Sequence, residues 1–310
     1  MERAANEGGR LMAVTTPAQQ PEVHLREPNG WRRAKDRIVL FGMWLAFAVL
    51  LVPLVFVLIT VIARGAHVIT WQFLTTGPIP PNTLPASFGG MWPAILGTLE
   101  ITAFAALLAI PLGVLGAIYV NEYGGKSLLA KLVSFMADVM TGVPSIVMGL
   151  FIFTIWVLHF GYSGLAGSLA LACLMLPTVI RSSYEMLRLV PNQLREASYA
   201  LGATKARVTL GVVLPAAIGG IVSGALLAVA RAAGETAPLL FTIFAVQSAN
   251  PNLFSGPNTA LPSQIFANAT QPFTGAQDRA WGSALTLIVL AFIVMLAARL
   301  VTARFTKYSQ

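Results

Sequence analysis

An arginine and a glutamate four positions apart, Arg231 and Glu235, interrupt an apolar stretch that runs from Val212 to Val246. Four positions is about one helical turn, so the spacing places both on one helix face as an ion pair. An isolated charge in hydrocarbon costs at least about 2.5–3.5 kcal/mol, so intramembrane ionisable groups pair, line a pathway, or do both. The plainer reading is a pair that only neutralises itself. The sharper reading gives Arg231 a role: its planar fork of donors suits a tetrahedral oxyanion, while Glu235 orients it and tempers its charge. Weak binding of that kind suits a conduit.

Other charged residues form looser patterns. Arg181, Glu185 and Arg188 follow at i, i+4 and i+7, which reads first as a solvated salt bridge at a membrane edge and more sharply as an inner gate. Asp138 precedes a Gly142–Pro144 break and reads as a helix cap or, alternatively, as a further pathway group. Glu100 has no motif around it. Catalytic constellations are missing: His24, His67 and His159 are scattered, and Cys173 is the single cysteine, so neither a Cys/His metal cage nor an internal disulfide can form. Gly124-Gly125-Lys126-Ser127 superficially suggests a phosphate loop, but the leading Gly of that motif would fall on Val120. No nucleophile elbow occurs. The chain is expected to hold no metal, no cofactor and no catalytic residue.

The elements that must position these groups are membrane helices. Of 310 residues, 56% are apolar and 10% charged, against about 25% charged in ordinary globular chains. A net charge of +8 could point to nucleic acid, but the bases flank long apolar runs, as beside a membrane. Residues 1–37 are polar, lack a signal-peptide core and read as a disordered cytoplasmic tail. Ile38 to Ile62 is uncharged and long enough to span. Trp92 to Val120, with a kink expected at Pro111, makes a second span, and Leu132 to Phe160, broken at Gly142 and Pro144, a third. Gly164 to Ile180 is the fourth. The fifth lies inside Val212 to Val246, which Pro215, Gly234 and Pro238 interrupt, and Trp281 to Val301 is the sixth. Residues 247–279 read as loop. The expected fold is all-α and integral to the membrane, with six transmembrane helices and a transport domain over 92–302.

Six spans put both termini on one side. Seventeen of the twenty Lys and Arg residues then share that side, against Arg64 and Arg279 opposite, with Arg231 inside. The asymmetry predicts cytoplasmic termini.

On that side, Arg181 to Thr209 is the most polar internal stretch, and residues 190–210 are its loop. Leu194, Ala197, Ser198 and Leu201 recur at helical spacing, Asn192 reads as an N-cap, and Gly202 as a left-handed stop. Periodicity alone suggests a short helix in the headgroup layer. The details carry more: Glu196-Ala197-Ser198, then Gly202, then Val212 and Leu214-Pro215, resemble the E-A-A loop of permease subunits of type I ABC importers, with Ser198 and Val212 as mild departures. In that family the loop is a cytoplasmic coupling helix that docks on an ATPase, which assigns Glu196, Ala197 and Gly202 to coupling.

The run Ala230 to Pro238, with Asp138 to Ser145 and Pro177 to Pro191, resembles the PstA-type phosphate permeases within that family. The sister permease of the same importer has a similar run without Ala237-Pro238. The resemblance implies a type I ABC importer permease fold and import of inorganic phosphate across the cytoplasmic membrane by alternating access. It further implies a homologous second permease, a cytoplasmic ATPase dimer that binds ATP-Mg, and an extracytoplasmic phosphate-binding protein. Arg231 and Glu235 then belong to the translocation pathway, with Arg181, Glu185 and Asp138 as candidate gate residues. An importer of another oxyanion, sulfate or molybdate, is the alternative. A secondary transporter would not need the coupling loop, and an enzyme acting on lipid phosphates would need a nucleophile or metal cluster.

Overall fold

The computed structural model describes residues 30–306 apart from 79–88, 126, 247, 249 and 251, with the backbone alone at 30, 32, 33 and 301–306. The chain divides into two units, Met1–Val55 and Phe56–Gln310. The described part of the first lies in helix α1 (Gly30–Gly65). Its side chains from Ala34 to Val55 are all exposed, and from Ile38 they are uncharged, as a helix facing acyl chains requires. Of the expected tail, residues 1–29 lie outside the described residues, and Gly30–Arg37 is already helical. Lys35 there sits over the Trp31 ring at 5.3 Å.

In the second unit, α2 (Trp71–Thr75) is capped by the Thr70 hydroxyl, which accepts from the Phe73 amide at 3.1 Å. Helix α3 (Trp92–Ile118) runs through Pro111 without a break in its assignment and winds into a π-turn at Tyr119–Tyr123. The break in the third apolar run falls where expected: α4 (Leu128–Thr141) meets α5 (Ser145–Ile152), which continues through a π-turn at Phe153–Val157 into α6 (Leu158–Phe160), at 109°, a bend that fits a broken span or a re-entrant loop. Pro144 causes the break. It has no amide to donate, and it pushes Val143 out of helical geometry.

Helix α7 (Gly164–Arg188) starts at Ser163, whose hydroxyl accepts from the Ala166 amide at 3.1 Å. Then come α8 (Asn192–Ala200), α9 (Lys205–Val208), a π-turn at Thr209–Val213 and α10 (Leu214–Ala233). Pro215 therefore does not break the fifth span, because it occupies the first turn of α10, where no amide is needed. The chain closes with α11 (Ala237–Thr242), α12 (Leu261–Ala269) and α13 (Thr274–Thr306). Among the described residues there is no strand. Five helices are long and apolar enough to cross a membrane, or six with the bent pair taken as one span.

The stretch 247–279 is not simply loop. Several of its polar residues are buried donors and acceptors: the Gln264 amide donates to the Val246 carbonyl at 2.9 Å and to the Thr259 hydroxyl at 3.0 Å, and the Asn268 amide to the Gln264 carbonyl at 2.8 Å. Arg279, counted on the side opposite the termini, is buried and donates to Asn268 at 3.3 Å. Side-chain amides that signal a loop in a sequence here satisfy one another inside the fold.

The core forms where α3 and α7 lie side by side and α10 and α11 close on α7, burying Ile101, Ala105, Leu171, Met175, Ala228 and Leu239. Small residues let the backbones approach, as membrane helices require. Gly220 and Gly224 on α10 lie under Met186 and Ser182 of α7, and a Cβ at Gly113 would meet Val179 Cγ1 at 2.7 Å. At Gly116 the nearest atom would be Ile180 Cγ1 at 3.6 Å, an ordinary contact. Gly113→Ala should therefore cost about 1–3 kcal/mol, because the β-branched Val179 cannot swing aside. Gly116→Ala should cost little. Thermal midpoints of the detergent-solubilised variants check this, and equal midpoints would refute the packing.

Candidate functional site

Helix α10 ends at Ala233, and Gly234 turns the chain so that the Glu235 amide donates to the Ala232 carbonyl at 3.1 Å. Arg231 and Glu235 are thus not on one continuous helix face, as the spacing predicts; Glu235 lies just past the end and reaches back. Arg231 Nε stands 3.7 Å from Glu235 Oε1, an ion pair too long for a hydrogen bond. Its guanidinium donates no side-chain hydrogen bond among the described residues. The Arg231 side chain is 75% exposed in this chain and that of Glu235 20%. Within this chain the Arg231 side chain is therefore not enclosed by its own apolar run. Leu227, one turn earlier on α10, is also exposed.

The pair borders a cleft of about 40 Å³, lined also by Thr141 of α4 and by Met175, Pro177 and Thr178 of α7. These α7 residues flank the midpoint of a 25-residue helix, which at about 1.5 Å per residue is long enough to span the hydrocarbon. The cleft thus sets Arg231, two residues before the end of α10, beside the middle of α7. The Thr141 and Thr178 hydroxyls add short polar groups to the same cleft.

One turn along α4 and α7 from those threonines, Asp138 and Arg181 form an ion pair between the helices, each about half exposed. Arg181 therefore pairs across the bundle with Asp138, and Glu185 is not its salt-bridge partner. Asp138 does not cap the restarting helix either. Pro144 holds the N-cap position of α5, and the Asp138 carbonyl accepts from the Thr141 hydroxyl at 2.6 Å. The structure brings Arg231 and Glu235 together at one level, and Arg181 and Asp138 at another.

The loop 190–210 holds α8 as expected, one residue out of register at its start: Pro191 is the N-cap, and Asn192, expected there, is the first helical residue. The stop is as expected. Gly202 has φ +80°, its amide donates to the Tyr199 carbonyl at 2.9 Å, and the Ala203 amide to the Ser198 carbonyl at 3.1 Å. Those two bonds make a Schellman turn. Glu196 and Ala197 are exposed, and Leu201 is 89% exposed.

Sequence reasoning missed Arg195 and Glu122. They form the least exposed of the ion pairs described, with Arg195 Nη2 2.8 Å from Glu122 Oε1. The two are 73 positions apart, so no local spacing links them. Only their places at the ends of neighbouring elements could have suggested it.

Residues 109–307 match the family described as binding-protein-dependent transport system inner membrane component. The chain is 42% identical over 276 residues to "Phosphate transport system permease protein PstA 1" of Mycobacterium tuberculosis (strain CDC 1551 / Oshkosh), covering 87% of this chain and 89% of the relative. It is 40% identical over 280 residues to "Phosphate transport system permease protein PstA" of Yersinia pestis, covering 90% and 94%. Among solved structures, a chain of the bacterial alginate ABC transporter, crystallised with an alginate pentasaccharide-bound periplasmic protein, is similar at TM-score 0.63 and 15% identity, covering 90% of this chain and 99% of that one. A chain of the inward-facing MetNI methionine ABC transporter is similar at TM-score 0.55 and 20% identity, covering 70% and 94%. These likenesses give the fold of type I ABC importer permeases. With residues 109–307 matched by the family model and 87% of the chain matched by a PstA relative, the chain belongs to the binding-protein-dependent transport system inner membrane components and, within them, to the PstA-type permeases.

Proposed function

We propose that this chain is one of two permease subunits of an ATP-driven importer and passes inorganic phosphate across the cytoplasmic membrane by alternating access. The observation that carries this is Arg231 beside Glu235 at the mid-height of α7, in a chain 42% identical to a phosphate transport system permease. A guanidinium offers several donors to a phosphate oxyanion. Glu235, at 3.7 Å, keeps it oriented and lowers the local positive potential, so the anion is drawn in and released.

The face that leaves Arg231 exposed is the one a homologous second permease covers, closing the path between the two chains. The ends of the path are set by the ion pairs: Asp138 with Arg181, one turn nearer the α8 end, forms the cytoplasmic gate, with Glu185 one turn beyond. The termini and α8 face the cytoplasm, and 247–279 faces outward to an extracytoplasmic phosphate-binding protein. A cytoplasmic ATPase dimer binds ATP-Mg, hydrolyses it, and presses on α8 through Glu196, Ala197 and the turn at Gly202. Rocking of the bundle then presents Arg231 to each side in turn. This chain contributes no catalytic residue to hydrolysis.

The test is uptake in cells lacking their own phosphate permeases, given the full set of importer subunits with this chain. Labelled phosphate should enter at micromolar concentration, unaffected by a hundredfold excess of sulfate or molybdate. Uptake abolished by either competitor would make this an importer of another oxyanion, and no uptake at all would contradict the assignment.

A further inference from the structure

Arg195 lies in α8 directly before Glu196 and Ala197, yet it points the opposite way. Its neighbours are exposed, while its own side chain is only 14% exposed. The guanidinium is almost fully engaged. Nη2 donates to Glu122 Oε1 at 2.8 Å and to the Leu187 carbonyl at 3.0 Å; Nη1 donates to the Val190 carbonyl at 2.6 Å and to Asn192 Oδ1 at 3.3 Å; Nε donates to Glu122 Oε1 at 3.3 Å. Glu122, 6% exposed, also accepts from the Asn121 amide at 2.7 Å. One side chain thereby ties together the start of α8, the last turn of α7 at Leu187, the Val190 carbonyl that follows it and the π-turn that ends α3.

Apolar packing holds the two ends of the loop but not the helix itself: Val190 and Ala203 join the core cluster with Ala117, Ile118 and Leu187, while Leu194, Tyr199 and Leu201 are exposed. Between Pro191 and the left-handed Gly202, Arg195 is thus the side chain of α8 that is tied to the rest of the bundle. The π-turns Tyr119–Tyr123 and Thr209–Val213 flank this junction, and Lys205 lies over the Tyr123 ring at 5.0 Å. Such local departures from α-winding commonly mark functional positions. A buried ion pair is also a poor hinge, because separating its members leaves an unpaired charge out of water.

We infer that Arg195 is the positioning residue that locks the coupling helix to α3 and α7 through Glu122, so that a push on α8 moves the spans instead of being absorbed in the loop. This rests on the reading that α8 docks on the ATPase. It goes beyond that reading by naming the joint through which the displacement passes.

The test uses the whole importer, reconstituted in vesicles with its binding protein, and reads phosphate moved per ATP hydrolysed. A purely structural role would not change that ratio in the complexes that assemble. Arg195→Gln should still bring the ATPase down with the complex and still hydrolyse ATP, while phosphate per ATP falls about tenfold or more. Glu122→Gln should shift the ratio in the same direction but less, because Arg195 keeps its bonds to the Leu187 and Val190 carbonyls. Arg195→Lys should restore part of it. An unchanged ratio in both glutamine variants would overturn the inference, and so would loss of both from the membrane, which would make the pair a stability element. Failure of the ATPase to co-purify with the unaltered chain would instead refute the docking reading, and this inference with it.

Discussion

Arg231→Gln should leave the chain inserted and the complex assembled while phosphate uptake falls roughly 10- to 100-fold, since a hydrogen bond to a charged group contributes about 1.5–3 kcal/mol and each 1.4 kcal/mol is a factor of ten. Glutamine keeps most of the length and some hydrogen-bonding capacity, so the loss isolates the charge. The single variant leaves Glu235, whose side chain is 20% exposed, without the partner it has at 3.7 Å, so its membrane level and ATPase retention are read beside uptake, and replacing both residues separates a stranded carboxylate from loss of the pathway charge. Arg231→Lys keeps the charge but loses the fork, and its uptake should lie at or above that of the glutamine variant. Initial rates of labelled phosphate uptake, normalised to the amount of chain in the membrane, give the result. Wild-type rates in Arg231→Gln would remove Arg231 from the path.

The second large effect is expected at Gly202. Its φ of +80° ends α8 in a left-handed turn, and a Cβ placed there would meet nothing within 4 Å. Gly202→Val therefore causes no crowding; the whole effect is conformational, about 1–3 kcal/mol for a β-branched residue held in that region. The Schellman bonds from Gly202 to Tyr199 and from Ala203 to Ser198 should open, changing the direction of Leu201 and the end of α8. The ATPase retained on the purified complex should fall about tenfold. Gly202→Asn tests the cause, because asparagine tolerates the left-handed region, and it should retain most of the ATPase. Equal retention in the Val and Gly forms would mean that α8 rests on lipid. Equal loss in Val and Asn would mean that the site needs the bare glycine and not the turn.

The spans were legible because hydrocarbon demands long uncharged runs. Ile38–Ile62, Trp92–Val120 and Gly164–Ile180 all fall inside observed helices, and the Gly142–Pro144 break is real. The stop at Gly202 was legible for a local reason, since few residues other than glycine adopt that backbone readily. What was not legible is tertiary. Pro215 looks like a breaker until the helix is seen to begin just before it. The polar run 247–279 looks like loop until Gln264, Asn268 and Arg279 are found bonding inside the fold. Asp138 with Arg181 and Glu122 with Arg195 join residues from separate elements, and helical spacing carries no information about such pairs. Arg231 and Glu235 were found because they stand four apart in an apolar run, although Gly234 ends the helix between them.

The measurement that bears most directly on the central claim is phosphate uptake by the double variant Arg231→Gln with Glu235→Gln. If the pair served only to neutralise itself, removing both charges would leave nothing unpaired and transport would continue. With Arg231 as the group that meets phosphate in the path, the double variant should reach wild-type levels in the membrane, retain its ATPase and remain nearly inactive in uptake, within the range of Arg231→Gln alone. Near-normal uptake of labelled phosphate by the double variant would contradict the account.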